Sequence, residues 1–79
     1  MLVAFDFGIS NTDIGVFQDN QTTFHTIPSQ QESLSPELIK EMLVSFSLPF
    51  SEIKCIGVTG GKSSDLPNSI GSIQIDKIN

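Results

Sequence analysis

Two aspartates and a run of small polar residues lie close together near the start of the chain. Asp6 follows the apolar stretch 2–5, and Asp13 comes seven residues after it. The residues between them include a glycine and three side chains that can form hydrogen bonds: Gly8, Ser10, Asn11 and Thr12. Because an unpaired carboxylate is costly to bury at the end of an apolar strand, stability alone does not account for Asp6.

This spacing suits a site for a phosphate group and its metal ion. A tight turn directs successive backbone N–H groups into one concavity, where an anion can bind. Carboxylates repel phosphate, but they can hold the Mg²⁺ that accompanies it, usually through water. Gly8 is expected to permit the turn by adopting a positive φ. The alternative is a β-hairpin whose turn is polar only because turns favour such residues.

Apolar patterning predicts an α/β domain that positions these residues. The predicted strands are residues 2–7, 12–18, 22–27, 53–59 and 72–76. The first strand is expected to be buried on both faces because its apolar run is continuous. One helix is predicted over 36–47, with Ser35 as its N-cap and Pro36 at its first position. Since this helix connects the third and fourth strands, the fourth is expected to lie parallel to the first.

A second group of candidate residues follows the predicted fourth strand. Thr59, Gly60 and Gly61 occupy the C-terminal end of a strand, which is where open α/β sheets bind ligands. A glycine turn that simply leaves the strand explains these residues equally well. Residues 60–63 read Gly-Gly-Lys-Ser, as at the end of a P-loop, but that motif also needs a glycine at position 56, which is isoleucine.

The segment 6–13, Asp-Phe-Gly-Ile-Ser-Asn-Thr-Asp, resembles the first phosphate-binding loop of the actin, Hsp70 and sugar-kinase superfamily. Within that superfamily it is similar to the type II pantothenate kinases and to the hydantoinase A group. The Thr-Gly-Gly at 59–61 resembles the same triplet at the matching place in the pantothenate kinases. Ile9 stands where the family usually has a second glycine, and Ser10 replaces a threonine. The resemblance covers most of the chain in layout and two short motifs in identity.

The resemblance implies a ribonuclease H-like fold: a mixed five-stranded sheet in the order 3-2-1-4-5 with one crossover helix, as a partial lobe of an actin-like ATPase. It also implies ATP and Mg²⁺ as ligands. Asp6 would orient the attacking group or hold hydrated Mg²⁺. The implied cofactor-binding residues are Gly8, Ile9, Ser10, Asn11, Thr12, Asp13, Thr59, Gly60 and Gly61. The general base of the pantothenate kinases is a Glu just beyond the last strand, and no residue of this chain is assigned that role.

Residues 1–79 are therefore expected to form a single N-terminal subdomain of a longer two-lobed protein, with no turnover of their own. The favoured function is the ATP phosphate-binding lobe of a small-molecule kinase that phosphorylates pantothenate in coenzyme A biosynthesis. One alternative is the N-terminal lobe of a hydantoinase A-type ATP-dependent hydrolase. Another is a non-catalytic binding or assembly module of the same fold.

Composition limits the expected partners and location. Nine acidic residues against four basic ones give a net charge of −5, which argues against nucleic acid or an anionic membrane as a partner. The sequence shows no targeting segment and no apolar run of transmembrane length. A single Cys fits a reducing compartment, so a cytoplasmic location is expected. The expected partners are a nucleotide and a small-molecule substrate, and a homodimer of the longer protein is one possible assembly.

Overall fold

The computed structural model describes residues 1–29 and 34–78, which form an α/β domain with one α-helix and a mixed sheet of six strands. The strands are β1 (Leu2–Phe7), β2 (Asn11–Gln18), β3 (Gln21–Pro28), β4 (Cys55–Thr59), β5 (Ser69–Ile70) and β6 (Ile73–Lys77). The helix α1 covers Pro36–Ser45, and two short 3₁₀ turns cover Phe50–Glu52 and Ser63–Asp65. The predicted α/β class is confirmed.

The strand order is β3-β2-β1-β4-β6-β5, so the predicted five-stranded order 3-2-1-4-5 is wrong. The difference is β5, a two-residue strand that pairs antiparallel with β6 and places Ile70 opposite Ile73. Gly71 makes this reversal possible because it takes a φ of 59°, a conformation that glycine adopts at little cost. β1 lies antiparallel to β2 and, as predicted, parallel to β4.

Helix α1 begins as predicted and ends two residues earlier than predicted. The Oγ of Ser35 accepts a hydrogen bond from the N–H of Leu38 at 3.2 Å, which satisfies one amide of the first turn. At the other end Ser47 takes a φ of 57°. Its N–H donates to the carbonyl of Val44, and the N–H of Leu48 donates to that of Leu43. This is the Schellman arrangement, here built on a serine and not on the usual glycine.

The core lies between α1 and one face of the sheet. The helix buries four apolar side chains against strands β1, β2, β4 and β6: Leu38, Ile39, Met42 and Leu43. In β1 the side chains of Val3, Phe5 and Phe7 are buried, whereas Leu2 and Asp6 are exposed. Successive strand residues point to opposite faces, and α1 covers only one of them. The prediction that β1 is buried on both faces is therefore wrong.

The face of the sheet opposite α1 is called the open face below. It carries both candidate carboxylates, Asp6 and Asp13, which are exposed. It also carries two of the exposed aromatic side chains, Phe17 and Phe24, whose rings meet edge to face with centroids 6.3 Å apart. The two candidate carboxylates and the core thus lie on opposite faces of the sheet.

Candidate phosphate-binding site

The two sequence motifs meet at the C-terminal ends of β1 and β4. β1 and β4 are parallel, and Asp6 lies in register with Thr59. The next residue, Gly60, is so close that a Cβ atom placed on it would lie 2.9 Å from Oδ1 of Asp6. The structure therefore brings Asp6, Thr59 and Gly60 together, although Asp6 and Thr59 are 53 positions apart in sequence.

Asp6 and Asp13 form a cross-strand pair on the open face. They lie directly opposite each other in the β1–β2 register, and such residues have Cβ atoms about 4.5–5.5 Å apart. Thr26 on β3 donates its hydroxyl hydrogen to Oδ1 of Asp13 at 2.7 Å. Like charges in this arrangement destabilise a sheet. Two carboxylates kept at such positions are more easily explained by a ligand that they bind than by stability.

The turn between β1 and β2 is narrow, but not for the predicted reason. The N–H of Gly8 donates to the carbonyl of Asn11 at 3.0 Å, which leaves Ile9 and Ser10 at the tip. Gly8 does not adopt the predicted positive φ. Instead, a Cβ atom placed on it would lie 2.6 Å from the carbonyl oxygen of Asn11. Glycine is needed here because the two backbones approach so closely.

Ser29 holds this turn in place, and the sequence reading missed it. Its Oγ donates to the carbonyl of Gly8 at 2.6 Å, and its N–H donates to the carbonyl of Ser10 at 2.9 Å. Thr12 donates its hydroxyl hydrogen to the same Oγ at 3.0 Å. Strand register could have identified Ser29: the two-residue turn Asp19–Asn20 between β2 and β3 places position 29 opposite position 10.

These contacts determine which polar groups remain available at the tip. The carbonyls of Gly8 and Ser10 are occupied by Ser29. Within residues 1–29 and 34–78, the amides of Ile9 and Ser10 donate to no acceptor. Ile9 is completely exposed, so its amide can be approached from solvent. Backbone N–H groups presented in this way are suitable donors to an anion.

The remaining predicted residues divide between the two faces. Thr12 is buried on the side of α1, and its hydroxyl is bonded to Ser29 and not directed to the carboxylates. Asn11 is exposed, and its backbone carbonyl closes the turn. Gly60 and Gly61 have φ of 77° and 43° and lie against the carbonyl of Phe7. Both glycines are therefore required for the close approach of this loop to β1.

The oxygen donors at the C-terminal ends of β1 and β4 fit a hydrated Mg²⁺. Mg²⁺ is usually held by one or two carboxylates, with water and phosphate oxygens completing its shell. Asp6 and Asp13 supply two carboxylates on one face, and Thr59 lies in register beside Asp6. In the described part of the chain, no three His, Cys, Asp or Glu side chains are grouped as in a full protein metal site.

A cavity of about 400 Å³ lies beneath the turn on the side of α1. Its walls are mainly apolar and include Phe7, Leu38 and Met42, with Lys62 at its border. Neither candidate carboxylate lines it. Four of the predicted cofactor-binding residues do line it, namely Gly8, Ile9, Thr12 and Gly61, so the cavity adjoins the turn but not the carboxylates of the open face.

Cys55 forms a second polar cluster on the open face. Its thiol donates to Oδ2 of Asp76 at 3.2 Å, and Nε2 of Gln74 donates to Oδ1 of the same carboxylate at 2.8 Å. Burial raises the pKa of the Cys55 thiol above its ordinary value, and the hydrogen bond and negative charge of Asp76 raise it further. The carboxylate thus keeps the thiol protonated and weakly nucleophilic.

Asp76→Asn is expected to make Cys55 react faster with iodoacetamide at mildly alkaline pH. The substitution removes the charge that disfavours the thiolate, so the pKa of Cys55 falls and the midpoint of the pH–rate profile moves to lower pH. The same substitution at Asp65 serves as the control, because Asp65 is exposed and lies in the 3₁₀ turn that follows the C-terminal end of β4, whereas Cys55 begins that strand. A profile whose midpoint does not move would show that Asp76 has no influence on the thiol.

Comparison of the chain with protein-family models, with curated proteins and with solved structures gives no match. Among the residues described, no helix is long and apolar enough to cross a membrane. Function must therefore be inferred from the side chains and backbone groups of the site itself.

Proposed function

We propose that this chain binds the phosphates of a Mg²⁺–nucleotide complex and is the N-terminal lobe of an ATP-dependent small-molecule kinase. One observation carries the proposal: Asp6 lies opposite Asp13 and beside Thr59 and Gly60, at the C-terminal ends of two parallel strands. Ligands of open α/β sheets bind at this end of the strands. We also propose that the domain is a partial lobe of the actin-like ATPase fold, because its two motifs resemble those of that superfamily.

In this proposal the backbone and the carboxylates have different roles. The amides of Ile9 and Ser10, which donate to no acceptor among the described residues, would donate to phosphate oxygens. Asp6 and Asp13 would hold hydrated Mg²⁺, which neutralises phosphate charge when it is bound. Gly60 and Gly61 would keep their loop against β1 and beside Asp6, where a side chain on either residue would not fit. Asp6 would also orient the attacking group, as the resemblance implies.

Pantothenate is the acceptor that this proposal favours, because the motifs at 6–13 and 59–61 resemble those of the type II pantothenate kinases. A cytoplasmic location and a role in coenzyme A biosynthesis follow from that acceptor. A second lobe would supply the adenosine pocket and the general base. We therefore expect no turnover from residues 1–79 alone, so the direct test on this chain is nucleotide binding.

An NMR titration of the ¹⁵N-labelled chain with Mg-ATP tests the proposal. The amide signals of Ile9, Ser10, Gly60 and Gly61 are expected to shift as Mg-ATP is added. Gly71 is the internal control, because it is also an exposed glycine with positive φ but lies at the opposite end of the sheet. ATP without Mg²⁺ should shift these signals much less, since the carboxylates repel bare phosphate. Absence of shifts at the site, or equal shifts at Gly71, would contradict the proposal.

A further inference from the structure

The two edges of the sheet are protected to very different degrees. One edge is β5, which has only two residues, and the other is β3, which has eight. Long exposed edges are normally blocked by charged residues, an internal proline or a bulge, because their unpaired N–H and C=O groups bind other strands. Gln21–Pro28 contains no Lys, Arg, Asp or Glu, and its proline is the last residue. Among the residues that the structure describes, no strand other than β2 pairs with β3.

The pairing of β3 with β2 determines which of its backbone groups point outward. Ser29 donates its N–H to the carbonyl of Ser10 across this pair. Hydrogen-bonded positions alternate along an antiparallel pair, so residues 27, 25, 23 and 21 also bond to β2. The two-residue turn Asp19–Asn20, with φ of 49° and 64°, is consistent with this register. The outward N–H and C=O groups therefore belong to Thr22, Phe24 and Thr26.

These three residues read the same in both directions, as Thr, Phe and Thr at alternate positions. An antiparallel second copy centred on Phe24 would place each Thr22 opposite Thr26 of the other copy. Such a pairing provides about six backbone hydrogen bonds. It also forms cross-strand threonine pairs and one aromatic pair, which are among the favourable combinations in sheets. The outward pattern is therefore complementary to itself.

We propose that two copies of this chain associate through β3, with a two-fold axis at Phe24, and join their sheets into one. Phe24 is 73% exposed in the single chain, and the pairing would bury it against its copy beside Phe17. The assembly closes on itself, because the edges that remain are the two-residue β5 strands. The contact area is small and each copy carries a charge of −5, so the dimer is weak and strengthened by salt.

Sedimentation equilibrium over micromolar to millimolar concentrations measures this association. The parent chain is expected to shift from monomer to dimer, and Phe24→Lys is expected to stay monomeric because two like charges would meet at the axis. Ile78→Lys is the matched control: Ile78 is 56% exposed, and its N–H donates to the carbonyl of Val58 on β4, which β1 and β2 separate from β3. This control should dimerise like the parent. A parent that is monomeric throughout, or a Phe24→Lys variant that dimerises equally, would overturn the proposal.

Amide hydrogen exchange identifies the strand that forms the contact. Protection at Thr22, Phe24 and Thr26 is expected to rise with protein concentration. Thr23 and His25 already bond to β2, so their protection should stay the same. In a dimer formed through the open face, the amides of Thr22, Phe24 and Thr26 would still exchange rapidly with solvent, and this result would overturn the assignment. The proposal would also be overturned if β3 bound an unrelated peptide while the chain itself stayed monomeric.

Discussion

Asp6→Asn is expected to lower the turnover of the proposed two-lobed kinase by about 10²–10³-fold, the size of effect seen when one group that stabilises transition-state charge is removed. Asp6 is the carboxylate that lies beside both Asp13 and Gly60. Asparagine keeps its shape but loses the charge that would hold hydrated Mg²⁺ and orient the acceptor. The measurement is pantothenate-dependent release of ADP by the purified protein.

The same substitution should leave the fold intact, which separates a functional role from a structural one. Asp6 is exposed, and removing one of two opposed negative charges should stabilise the chain by about 0.2–1 kcal/mol or leave it unchanged. Asp19→Asn is the control, because Asp19 is an exposed aspartate with φ of 49°, a conformation that asparagine tolerates. Turnover that is unchanged in Asp6→Asn would remove this residue from the mechanism.

Phe5→Ala is expected to destabilise the folded chain by about 3–5 kcal/mol. Phe5 is 1% exposed and stacks on Phe7 with ring centroids 5.5 Å apart. Its loss removes buried apolar surface and leaves a cavity between β1 and α1. Because the free energy of unfolding of native proteins is only about 5–15 kcal/mol, this substitution should remove a large part of it. Urea unfolding followed by circular dichroism gives the free energy of unfolding.

Phe24→Ala provides a matched control for Phe5→Ala, since both remove a phenyl ring from a strand. Phe24 is 73% exposed, so its removal should cost less than about 1 kcal/mol at concentrations where the chain is monomeric. Equal destabilisation by the two substitutions would mean that the open face is as well packed as the face beneath α1, and the division into one buried and one open face would be wrong.

The sequence predicted the features that depend on neighbouring residues. Ser35 and Pro36 mark the start of α1 because a side-chain oxygen and a fixed φ act within one turn. β1 has the predicted bounds, β2, β3 and β6 differ from the predicted strands by one residue at one or both ends, and β4 begins two residues later than predicted. The parallel direction of β1 and β4 was also predicted, because a crossover helix connects parallel strands; that Asp6 contacts Gly60 was found only in the structure.

Only the tertiary structure decided which groups face one another. The two-residue strand β5 has too few residues for a pattern, and it exists because β6 lies beside it. Ser29 became part of the site because β2–β3 register brings it to Ser10, and Gly8 is required by the carbonyl of Asn11 and not by its own φ. Likewise, the apolar run at 2–5 suits burial on both faces, yet a single helix covers only one of them. These features depend on contacts between segments, whereas patterns in sequence report the preferences of each segment alone.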